Sequence, residues 1–130
     1  MKGKKTGIYI PSGRKPWEHE LRVAEVLALA GHYAEFLPDQ GNIPTADIRL
    51  DGIEYEIKTP RNFNPNTLEH TIHRAIKQSP NLIIDTSRMK KVHDDQVRNF
   101  LAGQARKAKV LKRMLMITKQ GKIIDIFAFI

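Results

Sequence analysis

The sequence predicts an α/β fold, a mixed β-sheet flanked by helices. Three observations carry that reading. Short apolar runs of strand character are interleaved with longer segments whose apolar residues recur at helical spacing. An Asp51-Gly52 pair separates two alternating runs and marks a tight hairpin. The run "NLIID" after Pro80 is almost wholly apolar, as in a strand covered on both faces.

The elements follow in order. Residues 1–14, opening on "MKGKKTG", read as a loosely held basic arm, and 15–130 as one domain. "KPWEHELRVAEVLALAG" places Pro16 in a first helical turn, an apolar stripe of Trp17, Leu21, Ala24, Leu27 and Ala28, and Gly31 as the stop. "HYAEFLP" is a short strand and "DQGNIPT" a loop. Residues 46–50 and 53–58 are the hairpin strands. A second helix starts near Asn64-Pro65 or Asn66 and runs to about Gln78, with Leu68, Ile72, Ala75 and Ile76 inward. "NLIID" is the buried strand. "DDQVRNFLAGQARKAKVL" is a third helix, basic in its C-terminal half. "RMLMIT" and "KIIDIFAFI" close the chain as strands about a Gln120-Gly121 turn.

The 130 residues suffice for one core, and no repeat or composition break divides them. With 41% hydrophobic and 28% charged residues the chain is globular rather than disordered. Cysteine is absent, which excludes disulfides and thiolate metal sites. No apolar run approaches the roughly 18 residues of a membrane span, so no membrane partner is expected. The basic N-terminus lacks the apolar stretch of a secretory signal. A formal charge of +8 fits a polyanionic partner, and also a merely soluble basic protein.

The hairpin carries the chemistry. A two-residue loop sets Leu50 opposite Ile53, Arg49 opposite Glu54, Ile48 opposite Tyr55 and Asp47 opposite Glu56. Alternation then puts Asp47, Arg49, Glu54, Glu56 and Lys58 on one face. Arg49 and Glu54 form a sensible ion pair; Asp47 and Glu56 do not. Like charges held roughly 4.5–5.5 Å apart at Cβ are destabilising. Lys58, diagonal to Asp47, gives partial relief. A divalent cation between the two acids would give full relief, and oxygen ligands suit Mg²⁺ or Mn²⁺ ahead of Zn²⁺. An exposed face managed by Lys58 and solvent is the other explanation. Glu20 falls at the edge of the first helix's apolar stripe. It either joins the cation site or caps the helix start.

Asp47, then a hairpin, then Glu56-x-Lys58 resembles the PD-(D/E)xK nuclease superfamily, and the preceding helix and following βαβ order resemble its αβββαβ core. The extra helix and C-terminal strands lie outside that core. From about Glu18 to Asp85, "HELRVAEVLALAGH…EFLP…ADIRLDG…EIKTP…NT…AIKQSPNLIID" is similar to the C-terminal tRNase domains of contact-dependent growth inhibition toxins, the CdiA proteins. The resemblance implies metal-dependent endonucleolytic cleavage of tRNA, acting in the cytoplasm of a target cell, and often a small immunity protein as partner. It assigns Glu20, Asp47 and Glu56 as metal ligands and, with Lys58, as the catalytic set. The chain shows no long presentation region ahead of the domain, so delivery by contact is left open.

Beyond that set, Arg74, Lys77 and Gln78 line the polar side of the second helix and are candidate nucleic-acid contacts, since that side is expected to border the site. "RKAKVLKR" is a denser basic run, either a nucleic-acid footprint or an ordinary helix end. His70 and His73 sit three apart on the same helix without a third metal ligand in view. Trp17, Tyr55 and Phe100 are expected in the core; Tyr9 and Phe63 are less constrained, and Phe63, in the loop after Lys58, could stack on a base. Two competing readings remain: a DNA endonuclease of a mobile element, and a catalytically silent nucleic-acid-binding module. Oligomeric state is not fixed, with a dimer among the options.

Overall fold

In the computed structural model, residues 5–39, 41 and 45–130 are described. Seven strands form a sheet in sequential order: β1 (Gly7–Tyr9), β2 (Tyr33–Phe36), β3 (Ile48–Leu50), β4 (Ile53–Lys58), β5 (Asn81–Asp85), β6 (Arg113–Ile117) and β7 (Ile123–Asp125). Helices α1 (Glu18–Leu29), α2 (Pro65–Ile76) and α3 (Asp94–Lys107) connect β1 to β2, β4 to β5 and β5 to β6. Those three strand pairs are parallel, and the β2–β3, β3–β4 and β6–β7 pairs are antiparallel. The predicted mixed sheet with flanking helices is therefore the observed fold.

The hairpin forms as its turn residues dictate. Asp51 and Gly52 both take positive φ, at 50° and 88°, as a two-residue turn matched to strand twist requires. The register is Leu50 to Ile53, Arg49 to Glu54 and Ile48 to Tyr55, the predicted pairing. Asp51 also accepts from the Tyr33 amide at 2.9 Å and meets His32 Nδ1 at 2.6 Å, which fastens the turn to the start of β2.

The two sheet faces are covered differently. Val23, Ala24 and Leu27 of α1 pack on Ala34, Phe36, Ile48, Leu50, Tyr55, Ile57 and Ile83. On the other face α2 and α3 bury Leu68, Ile72, Val97 and Leu101 against Leu82, Ile84, Met114 and Met116. Burying each large apolar side chain of this kind contributes about 1.5–3 kcal/mol. All five residues of β5 are buried, as the apolar run implies for a strand covered on both sides.

Three expectations are corrected. Residues 7–9, assigned by sequence to the loose arm, are strand β1, paired in parallel with β2. Their Gly-Ile-Tyr run has strand character, but the surrounding lysines and Pro11 mask it. Met1 to Lys4 of that arm lie outside the described residues, as do Gln40 and positions 42–44 of the "DQGNIPT" loop. The third helix ends at Lys107, so Lys112 and Arg113 of the basic run belong to the approach and start of β6. The last strand stops at Asp125, whose Oδ1 accepts the Phe127 amide at 3.0 Å and starts a 3-10 turn, Ile126–Phe129. An all-apolar tail gives no period from which to tell the two apart.

Candidate active site

Asp47 stands just before β3, where its N–H donates to the Tyr55 carbonyl at 3.0 Å. Its Oδ2 accepts the Ile57 amide at 2.8 Å, taking the place of a ladder carbonyl and fixing the side chain against β4. Glu56 projects from the middle of β4 and is only 3% exposed. The Asp47 carboxyl is close enough that its charge and a hydrogen bond to it both raise the pKa of Glu56. Lys58 Nζ reaches Glu56 Oε2 at 3.1 Å, so this lysine neutralises the glutamate beside it on the strand rather than the diagonal Asp47.

One atom in this group is unsatisfied. Glu56 Oε1 is buried and has no donor among the described residues. Two carboxylates cannot hydrogen-bond unless one of them holds a proton, and an unpaired buried charge is costly. The site therefore demands a proton or a cation. Burial first, then the charge and hydrogen bond of Asp47, push the Glu56 carboxyl up to about 8, against the opposing pull of Lys58. The remaining oxygens of Asp47 and Glu56 are hard donors, one from the residue leading into β3 and one from β4. They fit a divalent ion of the Mg²⁺ type.

Glu20 is held differently. It lies in the first turn of α1, where its Oε1 accepts the Trp17 N–H at 2.9 Å and pairs with Arg14 at 3.7 Å. That is the helix-capping role, driven by the orphan amides of the helix start. Glu20 and Asp47 line one cavity of about 210 Å³, but Glu56 does not line it. Among the described residues no three Asp, Glu, His or Cys side chains converge on a common metal position. Asp47, Glu56 and Lys58 are thus brought together, with Glu20 across the cavity from Asp47.

The basic groups also redistribute. Arg74 and Lys77 line a cavity with His70, His73 and Val110 near the C-terminal end of α2. Ser79, just beyond that end, bonds the Glu54 carbonyl near the start of β4. These residues, with Gln78, therefore sit toward the end of β4 away from Lys58, because α2 runs back along the sheet between two parallel strands. Two neighbouring cavities do border the other end. One holds Lys58, Thr59, Arg61, Asn64 and Thr67, and the next holds Arg61, Asn62, Arg88 and Lys90. Arg61, Arg88 and Lys90 make no ion pair with any described residue. Sequence reasoning missed them. The usable signal was topological, since ligand sites in α/β sheets gather outside the carboxyl ends of parallel strands, here β4 and β5.

The aromatic expectations exchange places. Phe63 packs edge-to-face on Phe100, with ring centroids 5.7 Å apart, and belongs to the core margin. Trp17 is 71% exposed. Its φ and ψ of −66° and 154° are extended, so the helical projection that put it on the apolar stripe does not apply to it.

Residues 44–123 match the family described as the contact-dependent growth inhibition CdiA C-terminal domain. The chain belongs to that family. This CdiA C-terminal domain also resembles a solved structure described as "CdiA-CT/CdiI toxin and immunity complex from Burkholderia pseudomallei". The likeness has a TM-score of 0.62 and 19% identity, and covers 95% of this chain and 96% of that one. At that identity the likeness speaks for the fold. No curated protein matches the chain.

Proposed function

We propose that this CdiA C-terminal domain is a nuclease of the PD-(D/E)xK type that cleaves tRNA with a divalent cation. The observation that carries the reading is the buried Glu56 carboxyl, set against Asp47 with Lys58 at 3.1 Å and one oxygen left without a donor among the described residues. A silent binding module has no use for that arrangement, which costs stability and returns none.

Asp47 and Glu56 would hold the ion, Mg²⁺ or Mn²⁺, with Glu20 contributing from across the shared cavity. When bound, such an ion supplies a water of lowered pKa and neutralises charge on the scissile phosphate. The chain's own residues do the rest. The Ile57 amide fixes Asp47, so the carboxylate does not swing away from Glu56. Lys58 stabilises the charge that develops on the phosphate oxygen. Arg61, Arg88 and Lys90, at the carboxyl ends of β4 and β5, hold flanking phosphates and set the strand in register. Arg74, Lys77 and Gln78 would meet a more distant part of a large folded RNA.

A domain of this family, acting on RNA in the cytoplasm of a target cell, would be lethal to the cell that makes it. A small cognate immunity protein, like the one named in the Burkholderia pseudomallei complex, is the partner this reading calls for.

The test is incubation with total tRNA and, separately, plasmid DNA, each with Mg²⁺, Mn²⁺ or EDTA, beside a Glu56→Ala control. Discrete tRNA fragments that vanish with EDTA and in the variant are expected. Cleaved DNA with intact tRNA would replace the substrate class. Binding without cleavage of either would overturn the enzymatic reading.

A further inference from the structure

We propose that Trp17 and the cavity beneath it form a nucleobase subsite, which stacks the base next to the scissile phosphate and selects for an exocyclic amino group. The proposal rests on the nuclease reading above and deepens it.

Trp17 is the chain's single tryptophan, and at 71% exposed it presents most of its ring to solvent. A large aromatic in that position gains nothing for the fold, since the helix start needs only its backbone. The Trp17 N–H is bound by Glu20 at 2.9 Å and its carbonyl accepts the Leu21 amide at 3.0 Å. The side chain is thereby free for another task while its backbone is fixed. Arg14 is fixed too, with Nε donating to the Leu37 carbonyl at 2.9 Å.

The cavity joins this ring to the candidate catalytic centre, because Trp17 and Asp47 both line it. Its volume of about 210 Å³ falls below the roughly 300 Å³ at which drug-sized pockets begin, and suits one ring system rather than a whole nucleotide. An aromatic face at the rim of such a space is a stacking platform for single-stranded nucleic acid.

Beyond the ring the lining mixes apolar Leu37, Pro38 and Ala46 with the cation of Arg14 and several acceptors. Of its carboxylates, Glu20 and Asp47 are committed to the helix cap, the Ile57 amide and the proposed ion, which leaves Asp39 as the acceptor for an amino group. Carboxylates accept from amino groups, as Glu and Asp do from cytosine N4. Cytosine, adenine and guanine carry such a group and uracil does not.

The single tryptophan is its own reporter. Glu56→Gln protein, which retains its ring and binding surface, is titrated with short oligocytidylate and oligouridylate while Trp fluorescence and electrophoretic mobility are followed. Quenching is expected with both, at about tenfold lower concentration for oligocytidylate. In the wild-type background Trp17→Ala should raise KM for RNA cleavage about tenfold at little-changed kcat. Trp17→Phe should recover most of that loss, since a phenyl ring still stacks. RNA that binds and is cleaved without any change in fluorescence, or a Trp17→Ala variant that cleaves like wild type, would overturn this subsite and leave the nuclease reading intact. Equal quenching by both oligonucleotides would overturn the amino-group selection. Quenching by an immunity protein but by no oligonucleotide would reassign Trp17 to a protein interface. Failure to bind or cleave any nucleic acid would overturn the nuclease reading and the subsite with it.

Discussion

Lys58 Nζ lies 3.1 Å from Glu56 Oε2, two residues back along the same strand, while the glutamate's other oxygen has no donor among the described residues. One half of the carboxyl is compensated and the other half is open toward Asp47. Lys58→Met keeps the stem that packs on the sheet and removes the cation. Cleavage should fall by about 10²-fold or more, the size of effect seen when a group that stabilises transition-state charge is deleted. The melting temperature should change little at neutral pH and below, where Glu56 keeps its proton, and should fall at alkaline pH, where the buried carboxylate has lost its cation. A variant retaining most of its kcat would remove Lys58 from the chemistry.

Glu56 makes stability depend on pH in a definite direction. Its ordinary value is near 4.5 and in the folded chain it is pushed up to about 8, first by burial and then by Asp47. Over that window the folded chain keeps a proton that the unfolded chain has released. The contribution is therefore fully present below about pH 4.5 and is lost as pH rises through about 8. The slope approaches ~1.4 kcal/mol per pH unit. In EDTA, the urea midpoint should fall steadily across the window, and Glu56→Gln should flatten it. Added Mg²⁺ should restore stability at the alkaline end more than at the acid end, because a cation then replaces the missing proton. A profile in EDTA that is flat in the wild type would refute the carboxyl–carboxyl account.

The cation-lined cavities give a prediction readable as a salt slope. Each of Arg61, Arg88 and Lys90 that contacts a phosphate adds about 0.7–0.9 to the dependence of log K on log salt. Alanine at each should weaken RNA binding and flatten that slope by about one contact. Alanine at Arg74 or Lys77 should change KM for a short substrate much less, since both line a separate cavity near the far end of α2. If Arg74→Ala and Lys77→Ala prove the more damaging pair, the RNA approaches over α2 instead.

How legible this was depends on the range of the interaction that decides each residue. The hairpin was legible because Asp51-Gly52 fixes the register locally as far as Ile48 and Tyr55, whereas Asp47 leaves the ladder by bonding the Tyr55 carbonyl and meets Glu56 through its side chain rather than as a register partner. The helices were legible to within a turn from apolar spacing and from Pro65 and Gly31. Trp17 was misjudged because a helical projection was carried one residue past the point where the backbone is helical. Glu20's engagement with Arg14 depends on where the arm runs after β1, which no local pattern encodes. Arg61, Arg88 and Lys90 come from loops about thirty residues apart, brought together only by the parallel pairing of β4 and β5. Asp85 ends an apolar run that reads simply as buried strand, and nothing in that run names its partner.

That partner is Arg22, and the pair sets the last prediction. Asp85 is fully buried at the end of β5, where Oδ1 accepts from Arg22 Nη1 at 3.0 Å and from the Ser87 amide at 3.0 Å. Oδ2 has no donor among the described residues. The pair ties α1, the helix that carries Glu20, to the carboxyl end of the central strand. Arg22→Ala leaves a buried carboxylate with a backbone amide as its remaining donor. The cost should lie toward the lower end of ~3–5 kcal/mol, because Arg22 is itself partly in solvent and water partly replaces it. Arg49 and Glu54 are paired at 3.3 Å on an exposed face, so Arg49→Ala should cost no more than ~1 kcal/mol. Urea unfolding of the two variants under one set of conditions makes the comparison. Adding Asp85→Ala to Arg22→Ala should recover part of the loss, since the stranded charge is then gone. Equal costs for Arg22→Ala and Arg49→Ala would mean that burial does not strengthen the first pair, and that α1 is held to the sheet by its apolar stripe alone.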